Sequence, residues 1–172
     1  MSEANPDAPP VRCWAMWRAV TIEASIDHPP ERVYPYLADP ARWTEFAPAV
    51  ASRRRIGDGA PVVGSRWAAV DRIGPFRIRF TDELCEIELN RGVVWLSTAP
   101  WNSRVEYRLR PETNGTRIVA SYEGDVAGWL RLVALLPTRA LAWILMRDFH
   151  GLRRRLEAED RSPAVMDVAS PG

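Results

Sequence analysis

The sequence predicts an α+β fold: a seven-stranded, curved antiparallel sheet wrapped around a long C-terminal helix, with two short helices after the first strand. Three observations predict it. Val20, Ile22, Ala24 and Ile26 alternate with Thr21, Glu23 and Ser25, the period-two pattern of a strand with one buried face, and stop at Asp27-His28-Pro29-Pro30. Between Val50 and Gly124, further strand-like runs are separated by Gly, Pro and Asn turn signals. From Ala127 to Glu159 the period becomes helical, and Leu141, Leu145, Phe149, Leu152 and Leu156 recur at spacings of three and four.

Each element follows in order. The first strand runs from about Met16 to Ile26. Pro29 and Pro30 end it, and Pro30 suits a helix start because the N–H it lacks would be unpaired there anyway. A short helix from Glu31 to Leu37 is followed by Asp39-Pro40 and a second helical stretch carrying Trp43 and Phe46. Strand two is Val50 to Ile56, ended by Gly57-Asp58-Gly59 and Gly64; strand three is Ser65 to Ile73, closed by Gly74-Pro75. Strand four, Phe76 to Leu89, sets Phe76, Ile78 and Phe80 against Arg77, Arg79 and Thr81. Asn90-Arg91-Gly92 is a tight-turn signal leading to strand five, Val93 to Ser97. Strand six is Ser103 to Arg110, and strand seven, Thr116 to Gly124, puts Ile118, Ala120 and Tyr122 on one face. Pro137 splits the last helical region into a short helix and a long one, with Arg153, Arg154 and Arg155 near the end where cations suit the helix dipole.

Composition narrows the function classes. The chain of 172 residues is expected to form one domain over residues 13–160, between flexible tails at 1–12 and 161–172. A net charge of +1 argues against nucleic acid as the main partner. All 23 basic residues are Arg, which excludes a Schiff-base lysine. Cys13 and Cys85 lie far apart without metal-ligand spacing, so a reduced, cytoplasmic setting is expected. Met1 to Pro10 lacks the basic and apolar regions of a signal peptide. Arg131, Pro137 and Arg139 interrupt the apolar stretch Trp129 to Met146, which reads as a core-facing helix, with peripheral membrane contact as the alternative.

The order strand, Asp-His-Pro-Pro, helix, Asp-Pro, helix with Trp43 and Phe46, read as IEASIDHPPERVYPYLADPARWTEFAP over residues 22–48, resembles the opening of the START-like, or SRPBCC, superfamily. Its members include polyketide cyclases/dehydrases, lipid-transfer domains and birch-pollen-allergen-like proteins. The resemblance covers roughly Val20 to Glu159, and His28 and Phe46 stand where the family often has Ala and Trp. It implies a helix-grip fold and an internal cavity for an apolar small molecule, polyketide-like, lipid or quinone, between the sheet and the last helix. It implies no metal and no cofactor. Three roles remain open: a polyketide cyclase/dehydrase working by aldol closure or water loss, a non-catalytic carrier, and a co-chaperone-like interaction module, as monomer or homodimer.

No catalytic motif stands out, and His28 and His150 are isolated. Alternation instead identifies side chains that share the cavity face. In strand one the even positions face in, so Arg18 joins Val20, Ile22, Ala24 and Ile26. Strand three contributes Trp67, Ala69 and Asp71; strand four Phe76, Ile78 and Phe80, a series that reaches Asp82. Trp95 and Ser97 follow in strand five, Val105, Tyr107 and Leu109 in strand six, Ile118 and Tyr122 in strand seven, and Leu141, Leu145 and Phe149 from the helix. Of the tryptophans, Trp67, Trp95 and Trp143 are candidates to stack on a flat ligand, with core packing the alternative. Arg18 and Asp71 are candidates to pair with each other or with a ligand, unless each reaches out at the sheet rim. For catalysis the candidates are Arg18, Asp71, Tyr107 and Tyr122, the Arg steadying an enolate and Asp or Tyr exchanging protons.

Overall fold

A computed structural model describes residues 19–98, 100–126 and 137–162. Strands β1 (Ala19–Ile26), β2 (Val50–Ile56), β3 (Arg66–Ile73), β4 (Phe76–Glu88), β5 (Gly92–Ser97), β6 (Trp101–Glu112) and β7 (Gly115–Val126) form one antiparallel sheet. Helix α1 (Pro30–Ala38) and a 3-10 helix (Pro40–Glu45) follow β1, and α2 (Thr138–Arg161) follows β7. The sheet order is β1-β7-β6-β5-β4-β3-β2, so the two strands flanking the short helices are its opposite edges. This is the helix-grip arrangement that the sequence predicts. The expected N-terminal tail, the helix before Pro137, Cys13 and Arg18 lie outside the described residues, as does the expected C-terminal tail beyond Ser162; Arg161, assigned to that tail, instead ends α2.

Local chemistry sets the boundaries. Pro29, in an extended conformation, precedes α1, and Pro30 occupies its first turn. The Asp39 side chain accepts a hydrogen bond from the Ala41 N–H at 3.0 Å and so caps the 3-10 helix. At the β4–β5 turn Asn90 takes φ 59°, a left-handed conformation its short polar side chain tolerates. Leu89 falls in that turn rather than in the strand, and is exposed.

The core lies between the concave face of the sheet and the C-terminal half of α2. Ile22, Ile26, Ile118 and Ala120 from β1 and β7 pack with Phe149, Leu152 and Leu156. Trp95 is sandwiched edge-on between Trp43 (5.5 Å) and Trp67 (5.1 Å), and its Nε1 donates to the Leu37 carbonyl at 3.1 Å, fixing α1 to the sheet. A ring of polar contacts holds the end of α2 over α1 and the 3-10 helix. Asp160 meets His28 at 2.8 Å and Arg32 at 2.5 Å, Tyr36 Oη donates to Glu159, and Arg155 Nε donates to Glu45 at 2.8 Å. Gly151 lies where α2 crosses the 3-10 helix, and a Cβ there would collide with the Phe46 carbonyl oxygen. A glycine inside a helix costs stability relative to alanine, and this close crossing is what requires it.

Candidate functional site

The N-terminal half of α2 stands off the sheet and leaves a cavity of about 590 Å³. Its walls are mostly apolar. Ile78 and Phe80 come from β4, Trp95 from β5, Val105 from β6, and Leu141, Leu145 and Phe149 from α2. Trp43 and Phe46 close it from the 3-10 helix side. Ala69, Ile78 and Phe80 form a second, smaller cluster apart from the main core. The cavity therefore occupies the gap between two packed regions that α2 does not fill.

Polar groups converge on one part of this wall. The Arg53 side chain, 3% exposed, lies between two carboxylates. Its Nη1 donates to Asp71 Oδ1 at 2.7 Å, and its Nε stands 2.8 Å from Asp82 Oδ2, an ion-pair distance without the alignment of a hydrogen bond. Nη1 also reaches the Ser52 and Val70 carbonyls at 3.0 and 3.3 Å. Asp82, 2% exposed, accepts from Ser97 Oγ at 2.7 Å through its other oxygen. Burial pushes Asp82 above the ordinary carboxylate range, against the pull of Arg53 and Ser97. The guanidinium also lies 5.1 Å from the Phe80 ring centre and 5.4 Å from that of Trp43.

A second group faces the same space. Tyr107 and Tyr122 hold their hydroxyls 3.4 Å apart, and their rings meet edge-on at 6.2 Å. Burial raises both phenols well above 10, so both are neutral at pH 7. Asp148 projects from α2 beside them, with no hydrogen bond or ion pair found for it among the described residues. Burial, reinforced by the charge of Asp71 and opposed by Arg147, raises the Asp148 carboxyl to about 7. It can therefore give or take a proton near neutrality.

The structure distributes the sequence candidates unevenly. Asp71, Tyr107, Tyr122, Ile78, Phe80, Trp95, Ser97, Leu141, Leu145 and Phe149 line the cavity. Ile22, Trp67, Leu109 and Ile118 do not; they are buried in the main core, where the sheet packs on α2 or on the tryptophans, and Ala69 is buried in the small cluster. Phe76 is 54% exposed, because it begins β4 at the turn and lies beyond the edge of the cavity. Trp143 is 65% exposed on the outer face of α2, with the Arg147 guanidinium 5.7 Å from its ring centre. Asp71 pairs with Arg53, a residue the alternation argument did not reach. A bulge between Val50 and Ser52 shifts the register of β2. Val50 and Arg53, three apart, therefore both face inward. Asp148 is not among the sequence candidates, although a signal for it exists: it follows Leu145 by three and precedes Leu152 by four, a carboxylate within the apolar stripe of the helix.

Among the described residues no helix is long and apolar enough to cross a membrane, and no group of three or more His, Cys, Asp or Glu is placed to hold a metal ion. A family model described as polyketide cyclase / dehydrase and lipid transport matches residues 18–157. No curated protein matches the chain. Many solved structures do. TTHA0849 from Thermus thermophilus is 20% identical with a TM-score of 0.68, covering 83% of this chain and 99% of that one. The protein of unknown function SA2116 from Staphylococcus aureus is 13% identical with a TM-score of 0.66, covering 84% and 96%. An AHSA1-like protein from Aeromonas hydrophila is 18% identical with a TM-score of 0.61, covering 85% and 96%. At these identities the likeness is one of fold.

Proposed function

The chain belongs to the polyketide cyclase/dehydrase and lipid transport family, and on that premise we propose that it binds an apolar small molecule, polyketide-like, lipid or quinone, between the sheet and α2. One observation carries this reading: a cavity of about 590 Å³ with apolar walls that end in the Arg53–Asp71–Asp82–Ser97 cluster. A space of that size left dry forfeits packing energy on every side. A ligand restores the contacts while the polar cluster fixes its orientation. The test is a titration with a neutral apolar fluorophore, alongside native mass spectrometry of the purified protein and extraction of any bound molecule. Saturable binding is expected, and it should be lost in Val105→Trp, which fills the space from the middle of β6. Absence of binding by the wild-type protein refutes the reading, and undiminished binding by the variant puts the site elsewhere.

A second reading is favoured by Asp148 and the tyrosine pair. On it the protein is a cyclase/dehydrase. The Asp148 carboxylate removes a proton from a CH₂ between two ketones, and the resulting enolate carbon attacks a third ketone of the same chain. The neutral Tyr107 or Tyr122 hydroxyl donates a proton to the alkoxide that forms; the phenolate so produced then takes the remaining proton of the attacking carbon while protonated Asp148 supplies the proton with which the hydroxyl leaves as water, so that both groups return to their starting states. The cavity contributes the folded geometry of the chain, and the acid–base group works near its own pKa of about 7. Loss of turnover of a poly-β-ketone in both Asp148→Asn and Tyr107→Phe, with binding retained, is the expected result; unchanged turnover in both sinks the catalytic reading and leaves that of a carrier.

A further inference from the structure

The charges facing the interior of the cavity are unequal. Arg53 enters from β2, Asp71 from β3, Asp82 from β4 and Asp148 from α2. Tyr107 from β6 and Tyr122 from β7 complete the titratable interior among the described residues and are neutral at pH 7. Among the described residues one guanidinium thus faces three carboxyl groups. The remaining charged side chains that the described residues bring to the cavity belong to its rim. Arg72 and Arg147 are exposed, and Glu123 lies on the face of β7 opposite that of Tyr122.

The single interior cation among the described residues is already committed. Arg53 pairs with both Asp71 and Asp82, so an incoming carboxylate competes with two carboxylates held in place and meets Asp148 from the other side. Two further groups keep unused hydrogen-bonding capacity. Asp82 Oδ2 is buried and accepts no aligned hydrogen bond, and the buried Trp43 Nε1 has no acceptor among the described residues. A hydroxyl can answer either, donating to the carboxylate or accepting from the indole. An ammonium answers the carboxylates alone.

We infer that this cavity takes an apolar ligand whose polar group is a hydrogen-bond donor without negative charge, a hydroxyl or an ammonium, and that it discriminates against carboxylates of the fatty-acid type. The inference rests on the reading of the cavity as a ligand site and narrows it. An ionised Asp148 adds to the discrimination. The preference for a cation over an anion therefore strengthens as pH rises through the carboxyl's value of about 7, where Asp71, Asp82 and Arg53 are its charged interior neighbours and Arg147 lies beside it on α2.

The experiment is calorimetric titration of the full chain with decylammonium, decan-1-ol and decanoate, which share one apolar chain. It is run at about pH 6 and about pH 8, either side of the Asp148 value of about 7. Comparing the two ions cancels the general cost of desolvating a charge. At the higher pH decylammonium is expected to bind about tenfold or more tighter than decanoate, the size expected for one interior carboxylate near the head group. The ratio is expected to shrink at the lower pH and in Asp148→Asn, whose retained binding of decan-1-ol shows that its cavity is intact. A ratio that persists in that variant assigns the same selectivity to Asp71 and Asp82. Decanoate binding within tenfold of decylammonium at the higher pH, or tighter, overturns the inference while decan-1-ol binding leaves the cavity reading standing. Binding of none of the three overturns the cavity reading itself.

Discussion

Replacing Asp148 by asparagine is expected to change stability by an amount that depends on pH, and the dependence has a definite sign. In the unfolded chain the carboxyl titrates near 3.8; in the folded protein it titrates near 7. Below both values it is neutral in either state and costs nothing. Between them the folded protein keeps a proton that the unfolded chain has lost, so the stability of the wild-type protein falls as pH rises through this window. Above about 7 the full penalty is present, about 4 kcal/mol for a displacement of that size. Part of it is the charge of Asp71, and the carboxyl is half-buried rather than sealed, so about 2–4 kcal/mol is the range to expect. Asparagine has nearly the same shape and carries no charge. Asp148→Asn should therefore match the wild-type protein near pH 4 and exceed it by about 2–4 kcal/mol near pH 8. Urea unfolding followed by tryptophan fluorescence at several pH values gives the difference directly. Groups common to both proteins cancel, apart from those coupled to Asp148, chiefly Asp71. A difference that stays flat from pH 4 to pH 8 would show that Asp148 is solvated in the folded protein, and would remove it as an acid–base group.

Three further substitutions, in two tests, probe the buried ion-pair cluster and the crossing of α2. Arg53→Met keeps the apolar stem but leaves Asp71 and Asp82 without their counter-charge, and should cost about 3–5 kcal/mol; adding Asp82→Asn should recover part of that loss, and strict additivity of the two in denaturant titrations would contradict the described pairing. Gly151→Ala gains about 1 kcal/mol of helix preference, yet its Cβ would overlap the Phe46 carbonyl oxygen and stand 3.0 Å from its carbon; overpacking should outweigh the gain by about 1–2 kcal/mol and lower the thermal midpoint, and a raised midpoint would show that α2 does not cross so closely.

The parts of this fold that were legible in the sequence are those governed by a single period. β1 alternates cleanly, and its buried positions Val20, Ile22 and Ile26 follow from that alone. The stripe Leu141, Leu145, Phe149, Leu152 and Leu156 gives the inner face of α2 in the same way. What was hidden depends on interruptions of period or on depth. The bulge in β2 brings Arg53 inward from a run of three arginines, Arg53 to Arg55, whose facing the alternation does not give. Depth separates Trp67 and Ile118, which share a face with the lining residues but pack where α2 or Trp95 closes on the sheet, from Ile78 and Tyr107, which face the gap. Alternation assigns a side chain to a face, and only the fit of the opposing layer decides whether that face is filled.

The order β1-β7-β6-β5-β4-β3-β2 also bears on how the protein comes into being. Strands two to seven are neighbours in sequence and can pair in turn as they leave the ribosome, each closing a short loop. The first strand cannot. Thr21 lies opposite Ser121, a hundred residues later, and its side-chain hydroxyl stands 3.4 Å from that of Ser121. Such a closure is entropically costly and slow compared with a hairpin, and α2, which covers the sheet, is translated only after β7. Until then the concave face of the growing sheet is an open apolar surface without a lid. The compartment thus closes only once α2 has been made, and a chain arrested before Gly115 would expose its lining rather than enclose it.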